Sequence, residues 1–462
     1  MSLDFDTIAA ISTAPGEAGI GIIRISGKNA IDVGDKIFKN KKQFSLKECE
    51  ERKLNYGYVF NPKDGKKIDE VLMVYIKAPY TYTKEDIVEV NCHGGIIPVR
   101  RVLEVVLENG ARLAERGEFT KRAFLNGRID LSQAEAVMDL ISAKTDTSFD
   151  VSLNQLEGSI SNEVKKLRNV LLGMLAHVEA SIDFPEDDVE DLTYNSLQEQ
   201  GNFVLGKIGK LLDTVYTGKI LREGLRTVIL GKPNVGKSSL LNAILRENRA
   251  IVTDIPGTTR DIIEEYVNIK GIPLKIVDTA GIRETEDIVE KLGVDRAKEF
   301  LNQADLVIAV FDTSEELSKE DYDIINLIKD KKAIVLLNKS DLPSRIDEED
   351  IKKHLPDKRI INTSISKNEG IDKLEEILED MFLSSEVKIS DNTIVTNVRH
   401  RDQLLKAKDN IEDALQSLDL SMPLDCIEVD IKNCWENLGE ITGDTVGEDI
   451  IDKIFSEFCI GK

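Results

Sequence analysis

Gly231-Lys232-Pro233-Asn234-Val235-Gly236-Lys237-Ser238 has the form G-x-x-x-x-G-K-S. These residue types at this spacing can cradle phosphate. The glycines let backbone N–H groups turn inward onto phosphate oxygens. The lysine ammonium reaches the β- and γ-phosphates, and the serine hydroxyl ligates Mg²⁺. The candidate contacts are Asn234, Val235, Gly236, Lys237, Ser238 and Ser239. The flanks strengthen the reading. Thr227-Val228-Ile229-Leu230 is a β-type run, and Leu240-Leu241-Asn242-Ala243-Ile244-Leu245 is an apolar helical stretch. A strand, a loop and a helix N-terminus in that order aim a partial positive charge at an anion.

Further short motifs follow in order. Thr258 and Thr259 lie after the turn Ile255-Pro256-Gly257, where a hydroxyl or carbonyl completes Mg²⁺ coordination. Asp278-Thr279-Ala280-Gly281 follows the run Leu274–Val277. A carboxylate there holds Mg²⁺ through water, and the glycine N–H senses the γ-phosphate. Asn338-Lys339-Ser340-Asp341 follows Ala333–Leu337. The Asp341 carboxylate can accept from both N1–H and the 2-amino group of guanine, a donor pair that adenine lacks. Ser364-Ile365-Ser366 can place a backbone N–H on guanine O6. The series predicts a doubly wound nucleotide-binding sheet that takes GTP. Ile282 occupies the position where Ras-like chains carry a water-orienting glutamine, and an aliphatic side chain cannot orient water. The nearby groups that could stabilise the transition state are Arg283, Glu284 and Asn234, the last by giving its amide oxygen to a monovalent cation.

The elements that position these residues can be sketched along the chain. Residues 1–119 read as mixed α/β, with strands at Gly19–Gly27, Val71–Ile76 and Ile87–Gly95 and a helix closed by Asn109-Gly110. Residues 120–220 read as helical. Ser132-Gln133-Ala134-Glu135 has the form of a capping box. Val164, Leu167, Val170, Leu171, Met174, Leu175 and Val178 share one face, Asp183–Asp188 breaks that helix, and Gly218 ends the next. Residues 222–382 hold the nucleotide motifs. Residues 384–462 return to helix, including Leu404 to Leu418, Ile427 to Leu438, and Ile450, Ile451, Ile454, Phe455 and Phe458. Helices on both sides predict an inserted nucleotide domain within one discontinuous bundle.

At 462 residues the chain has room for about three domains. Its net charge of −23 argues against a surface that coats nucleic acid as a whole. No apolar run reaches membrane-spanning length, and Met1–Asp6 lacks the form of a signal peptide. The five cysteines include no C-x-x-C pair and fit a reduced, cytoplasmic protein. Cys426 and Cys434 read as core.

Taken whole, the sequence resembles the MnmE or TrmE family of tRNA-modification GTPases. The resemblance rests on Gly21–Gly27, on Gly117-Glu118-Phe119-Thr120-Lys121-Arg122-Ala123-Phe124-Leu125-Asn126-Gly127, on Asp278–Glu284, and on Phe458-Cys459-Ile460-Gly461-Lys462. It implies an N-terminal folate-binding and dimerisation domain, a discontinuous helical domain and an inserted Ras-like P-loop GTPase. Arg24, Glu89, Arg128 and Lys462 match the folate contacts, for a 5-formyl- or 5,10-methylene-tetrahydrofolate. The family more usually has lysine where this chain has Arg128. The resemblance also implies K⁺ held by Asn234, Thr253, Ile255 and Thr258. Glu284 would position the attacking water, hydrolysis would need two nucleotide domains meeting in a homodimer, and Cys459 would be linked to the modification chemistry. The implied partner is the FAD-binding protein MnmG (GidA), and the implied product is a tRNA wobble uridine carrying an aminomethyl or carboxymethylaminomethyl group at C5. A ribosome-assembly GTPase that docks RNA is the competing reading, but it calls for a basic module with a G-x-x-G loop. A folate-dependent methyl-transfer enzyme with a regulatory GTPase is another.

Overall fold

The computed structural model describes residues 6–40, 44–183, 190–247, 265–276, 301–382 and 393–462. The chain divides into two compact units, residues 1–138 with 439–462, and residues 139–438.

The first unit is built on β1 (Ile8–Ile11), β2 (Ala18–Ser26), β3 (Phe38–Asn40), β4 (Asn55–Phe60), β5 (Lys67–Ile76), β6 (Ile87–Gly94) and β7 (Arg112–Leu113). They form one sheet in the order β3-β4-β5-β6-β2-β1-β7. Successive strand residues face opposite ways. In β2, Ile23 and Ile25 therefore enter the core, while Ile22 and Arg24 point to the other face. Helices α1 (Ala30–Ile37) and α2 (Ile96–Glu108) cover the core face with Val33, Ile37, Val99, Val102 and Val106. The three expected strands are all present, and α2 closes at Asn109-Gly110 as the sequence suggests.

Helices α3 (Glu118–Leu125) and α4 (Leu131–Ser142) follow. The expected capping box at Ser132–Glu135 lies two residues earlier. Gln133 N donates to Asp130 Oδ1 at 3.0 Å, and Asp130 N donates to Gln133 Oε1 at 3.0 Å. Aspartate at the N-cap accepts from the first turn as well as serine does, so the earlier residue takes the role. The later helix Glu448–Ser456 buries Ile451 and Phe455 against Ala123, Leu131 and Ala134, with Phe458 beside them. Ile450, expected on that face, is 44% exposed, because it lies one residue around the helix from Ile451.

Arg122 is the largest fully buried side chain of this unit. Its guanidinium donates to Glu118 Oε1 at 2.8 Å, Glu85 Oε1 at 3.1 Å and Asp6 O at 2.7 Å. Arg112 grips Glu118 with two further bonds of 2.6 and 2.8 Å. Burial raises the Glu118 pKa, but the Arg112 and Arg122 guanidiniums and the Glu115 N–H outweigh it, and its carboxyl titrates at about 2.

In the second unit, α5 (Asp146–Leu156), α6 (Ser159–Asp183), α7 (Glu190–Asp213) and α8 (Val215–Glu223) precede the second sheet. That sheet region contains β8 (Leu225–Leu230), α9 (Lys237–Glu247), β9 (Glu265–Ile269), β10 (Ile272–Ile276), β11 (Leu306–Asp312), α10 (Lys319–Ile328), β12 (Ala333–Asn338), α11 (Glu348–Lys352), β13 (Arg359–Asn362) and α12 (Ile371–Phe382). Helices α13 (Val398–Asp419) and α14 (Leu424–Thr442) come after it. The helical segments on either side of the sheet pack together as expected. Helix α7 runs against α6 and α13, and a Cβ on Gly201 would stand 2.8 Å from Leu415.

Two expectations fail here. Gly218 does not end a helix. The break falls at Thr214, and Gly218 sits inside α8, where a Cβ would strike the Val395 carbonyl. Cys434 is buried, with its thiol pushed up to about 12, but Cys426 is exposed in the first turn of α14, one residue from the buried Ile427.

The second sheet has the order β13-β12-β11-β8-β10-β9. Its neighbours run parallel except for the antiparallel pair β9–β10. Every residue of β11 and β12 is buried, which explains their unbroken apolar runs. After β8 the chain fills one side of the sheet with β9 and β10, then crosses to β11 on the other. That reversal opens a crevice at the carboxyl ends of the strands.

Candidate functional site

The nucleotide motifs gather at this crevice. The cradle Gly231–Gly236 leaves the end of β8 and enters α9 at Lys237. Two glycines are sterically required. A Cβ on Gly231 would lie 2.6 Å from the Val310 carbonyl. On Gly236, which has φ +108°, it would strike the Asn338 amide. Asn234 takes the left-handed conformation with φ 61° and stands exposed at the lip of the loop. The Lys237 ammonium folds back onto the loop, donating to Gly231 O at 2.6 Å and Lys232 O at 2.8 Å. These carbonyls hold it where incoming phosphates can replace them. Ser238 and Ser239 lie in the first turn of α9, and Val235 is buried beneath the loop.

The base side is assembled from the ends of β12 and β13. Asn338 is buried and donates from Nδ2 to Val235 O at 2.6 Å, while its Oδ1 accepts from Ile365 N at 3.1 Å. One side chain thereby ties the phosphate cradle to the loop expected to face guanine O6. Ser364 Oγ donates to Asp341 Oδ1 at 2.7 Å. That hydrogen bond, opposed by some burial and helped by the Lys367 charge, holds the Asp341 carboxyl below its usual range. Asp341 is thus ionised at neutral pH, as acceptance from two guanine donors requires. Lys339 adopts φ 63° and sets its ammonium 2.5 Å from Asp312 Oδ2. A cleft of roughly 510 Å³ lies beside Ser239 and Ile365 and is also lined by Asn242 and Asn368, which the motifs did not single out.

Thr253, Ile255, Thr258, Thr259, Asp278, Thr279, Ala280, Gly281 and Glu284 lie outside the described residues, as do Ile282 and Arg283.

A second constellation lies in the first unit. Arg24 and Glu89 are direct cross-strand partners in β2 and β6, with Arg24 Nε 2.9 Å from Glu89 Oε1. Opposite charges facing each other on one sheet face attract. The Arg24 guanidinium lies 5.6 Å from the centre of the Tyr82 ring and 5.8 Å from that of Phe119. Arg128 stacks on Tyr82 at 4.6 Å and donates to its carbonyl at 3.2 Å. Tyr82 is therefore shared by two of the expected residues, although no motif in the sequence marks it.

The segment Phe458–Lys462 belongs to the same unit. Ile460 bridges to Arg116, and the Cys459 carbonyl accepts from Gly117 N at 3.3 Å. Ser12 Oγ donates to Gly461 O at 3.1 Å, and a Cβ on Gly461 would strike the Ile11 carbonyl. Ala10 of β1 pairs with Arg24 of β2, so Lys462 follows a residue seated close along β1 from that register. The Cys459 side chain is exposed. Gly117, with φ +65°, leaves room for Phe458, whose Cβ would be 2.8 Å from a Cβ placed there.

The strand order, the cradle at the end of β8 and the Asn338–Asp341 pocket define a P-loop GTPase. A family model described as the MnmE helical domain matches residues 131–459, and one described as the GTP-binding protein TrmE N-terminus matches residues 7–128. The tRNA modification GTPase MnmE of Alkaliphilus oremlandii is 60% identical over 457 residues, covering 99% of both chains. Its namesakes from Alkaliphilus metalliredigens and Clostridioides difficile are 58% identical over 462 residues and 57% identical over 457 residues, covering 100% and 99% of both chains respectively. The chain belongs to the MnmE family of tRNA modification GTPases. Among the described residues, no helix is long and apolar enough to cross a membrane.

Proposed function

We propose that this chain hydrolyses GTP to drive modification at C5 of the wobble uridine in certain tRNAs, together with the flavoprotein MnmG. The observation that carries the reading is that the MnmE relatives match the whole chain, from the first sheet to the Phe458–Lys462 segment. The protein acts in the cytoplasm as a homodimer.

In the first unit, Arg24, Glu89, Arg128 and Lys462 take a tetrahydrofolate. The donor set fits such a ligand. A carboxylate accepts from the pterin amine and N–H groups, while the guanidiniums stack on flat rings or bind the ligand's carboxylates. Arg128 in place of the usual lysine adds a planar fork, and it already stacks on Tyr82 at 4.6 Å. The 5-formyl or 5,10-methylene form supplies the one-carbon unit when bound. Cys459, exposed on this unit, is the thiol available for direct chemistry.

In the second unit, Lys237 binds the β- and γ-phosphates, and Ser238 with Thr259 holds Mg²⁺. Asn234 presents its exposed amide to K⁺, which Thr253, Ile255 and Thr258 complete. Potassium then supplies the positive charge that an arginine finger gives other GTPases, and Glu284 positions the attacking water. The two nucleotide domains of the dimer meet to order these groups.

Nucleoside analysis of tRNA from a strain lacking the protein tests the reading as a whole. Loss of the C5 group from the wobble uridine is expected, and normal modification would remove it. The potassium assignment has its own test. Single-turnover GTP hydrolysis in K⁺ should exceed that in Na⁺ by at least about tenfold, whereas equal rates would discard the assignment.

A further inference from the structure

The stretch from the last residue of β11 into the first turn of α10, residues 312–321, holds one lysine from each half of the nucleotide site. On the base side, Asp312 is 3% exposed, lies 2.5 Å from Lys339 Nζ and accepts from Ser314 N and Oγ at 2.9 and 2.6 Å. On the phosphate side, Lys232 is 12% exposed, with its Nζ 2.9 Å from Glu315 Oε2 and 3.2 Å from Asp321 Oδ2. That Asp321 oxygen also accepts from Ser318 N at 2.9 Å and Ser318 Oγ at 2.7 Å, which caps α10. The backbone adds to the tie. Thr313 N donates to Asn338 O at 2.9 Å, and Arg345 N donates to Thr313 O at 2.7 Å.

Lys232 fills a variable position of the cradle motif and has no assigned contact with nucleotide. Its side chain runs to Glu315 and Asp321, while its carbonyl receives Lys237 Nζ. Pro233 follows and narrows the backbone choices of Lys232. Burial disfavours the Lys232 ammonium, but Glu315 and Asp321 outweigh that and raise its pKa, so the clamp is charged at neutral pH.

We infer that residues 312–321 form an acidic brace that fixes the spacing between phosphate cradle and guanine pocket, with Lys232 as a positioning residue. The inference rests on the GTPase reading of the site. Charge-assisted hydrogen bonds to buried carboxylates, here Asp312 and Asp321, are short and directional, so they hold a loop in register. Pre-set spacing benefits a ligand that fills both halves at once, because less ordering remains to be done on binding. A ligand that fills one half gains little from it.

The full-length protein with Lys232→Met, Lys232→Arg or Glu315→Gln separates the outcomes. Fluorescent GDP titration with guanosine as competitor is the measurement, and a thermal melt checks folding. GDP affinity should fall about tenfold in Lys232→Met and about threefold in Glu315→Gln, whose carboxylate is more exposed, while guanosine affinity stays constant. Lys232→Arg should restore GDP affinity to within about twofold, since the charge reaches the same carboxylates. Unchanged GDP affinity in Lys232→Met overturns the brace. So does an equal loss for GDP and guanosine, which would mean a collapsed pocket. Wild-type protein that binds neither would instead overturn the GTPase reading, and the brace with it.

Discussion

Asp341→Asn is expected to weaken GDP binding by about a hundredfold and to bring xanthosine diphosphate up to comparable or tighter binding. The carboxylate offers acceptors alone, which suit the N1–H and 2-amino donors of guanine. An asparagine keeps one acceptor but turns an N–H donor towards the 2-position, where guanine also donates. Xanthine has a carbonyl at that position and accepts the new bond. The effect should be large because an unpaired donor facing a donor loses the bond and keeps the desolvation cost. Ser364 now donates to Asp341 Oδ1 at 2.7 Å. It is placed to keep donating to the side-chain oxygen of the introduced asparagine, so the loop keeps its shape. Competition titrations with both diphosphates decide the matter. A variant that still prefers guanine would strip Asp341 of its role.

Arg122→Met should cost about 3–5 kcal/mol of stability in the first unit, since removing one member of a buried ionic cluster leaves its partners uncompensated. Glu85 and Glu118 would lose the guanidinium that now meets both, at 3.1 and 2.8 Å. Urea unfolding of the full-length protein reads the change, and a loss under about 1 kcal/mol would show the cluster to be a bystander. The same cluster sets an acid limit. Glu118 titrates at about 2 when folded, against an ordinary glutamate value of 4.5. Its folded pKa is depressed, so its contribution is complete above pH 4.5 and is lost as pH falls towards about 2. Stability of the wild type should therefore decline through that window. The decline should be shallower in Arg122→Met, where Arg112 and the Glu115 N–H still hold the carboxylate.

Local signals made much of this architecture legible. Unbroken apolar runs mark β11 and β12, short apolar runs mark β2 and β5, alternation marks β6, and helical spacing marks the buried faces of α6 and α13. The cradle and the Asn338–Asp341 stretch are legible because phosphate and guanine recognition each need a few residue types close together in sequence. What escapes depends on distant partners. Gly218 is glycine because the Val395 carbonyl passes over it, and no local pattern records an approach from so far along the chain. The ionic role of Arg122 needs Asp6 and Glu85, which come from other parts of the fold. The displaced capping box is a closer miss, since Asp130 and Ser132 both have N-cap chemistry and only the backbone decides between them. Lys232 reads as filler in a motif, and its acids, Glu315 and Asp321, lie more than 80 residues further along the chain, around the start of α10.

The Ser12–Gly461 hydrogen bond spans 449 residues. A ribosome adding roughly 5–20 residues per second needs roughly 20 to 90 s to cover that stretch. Throughout that time the place beside Ile11 and Ser12 stands unfilled, while all of residues 139–438 is being made. A translation product interrupted before that point carries a first unit in which the Ser12 hydroxyl and the Gly117 N–H lack the Gly461 and Cys459 carbonyls they otherwise meet.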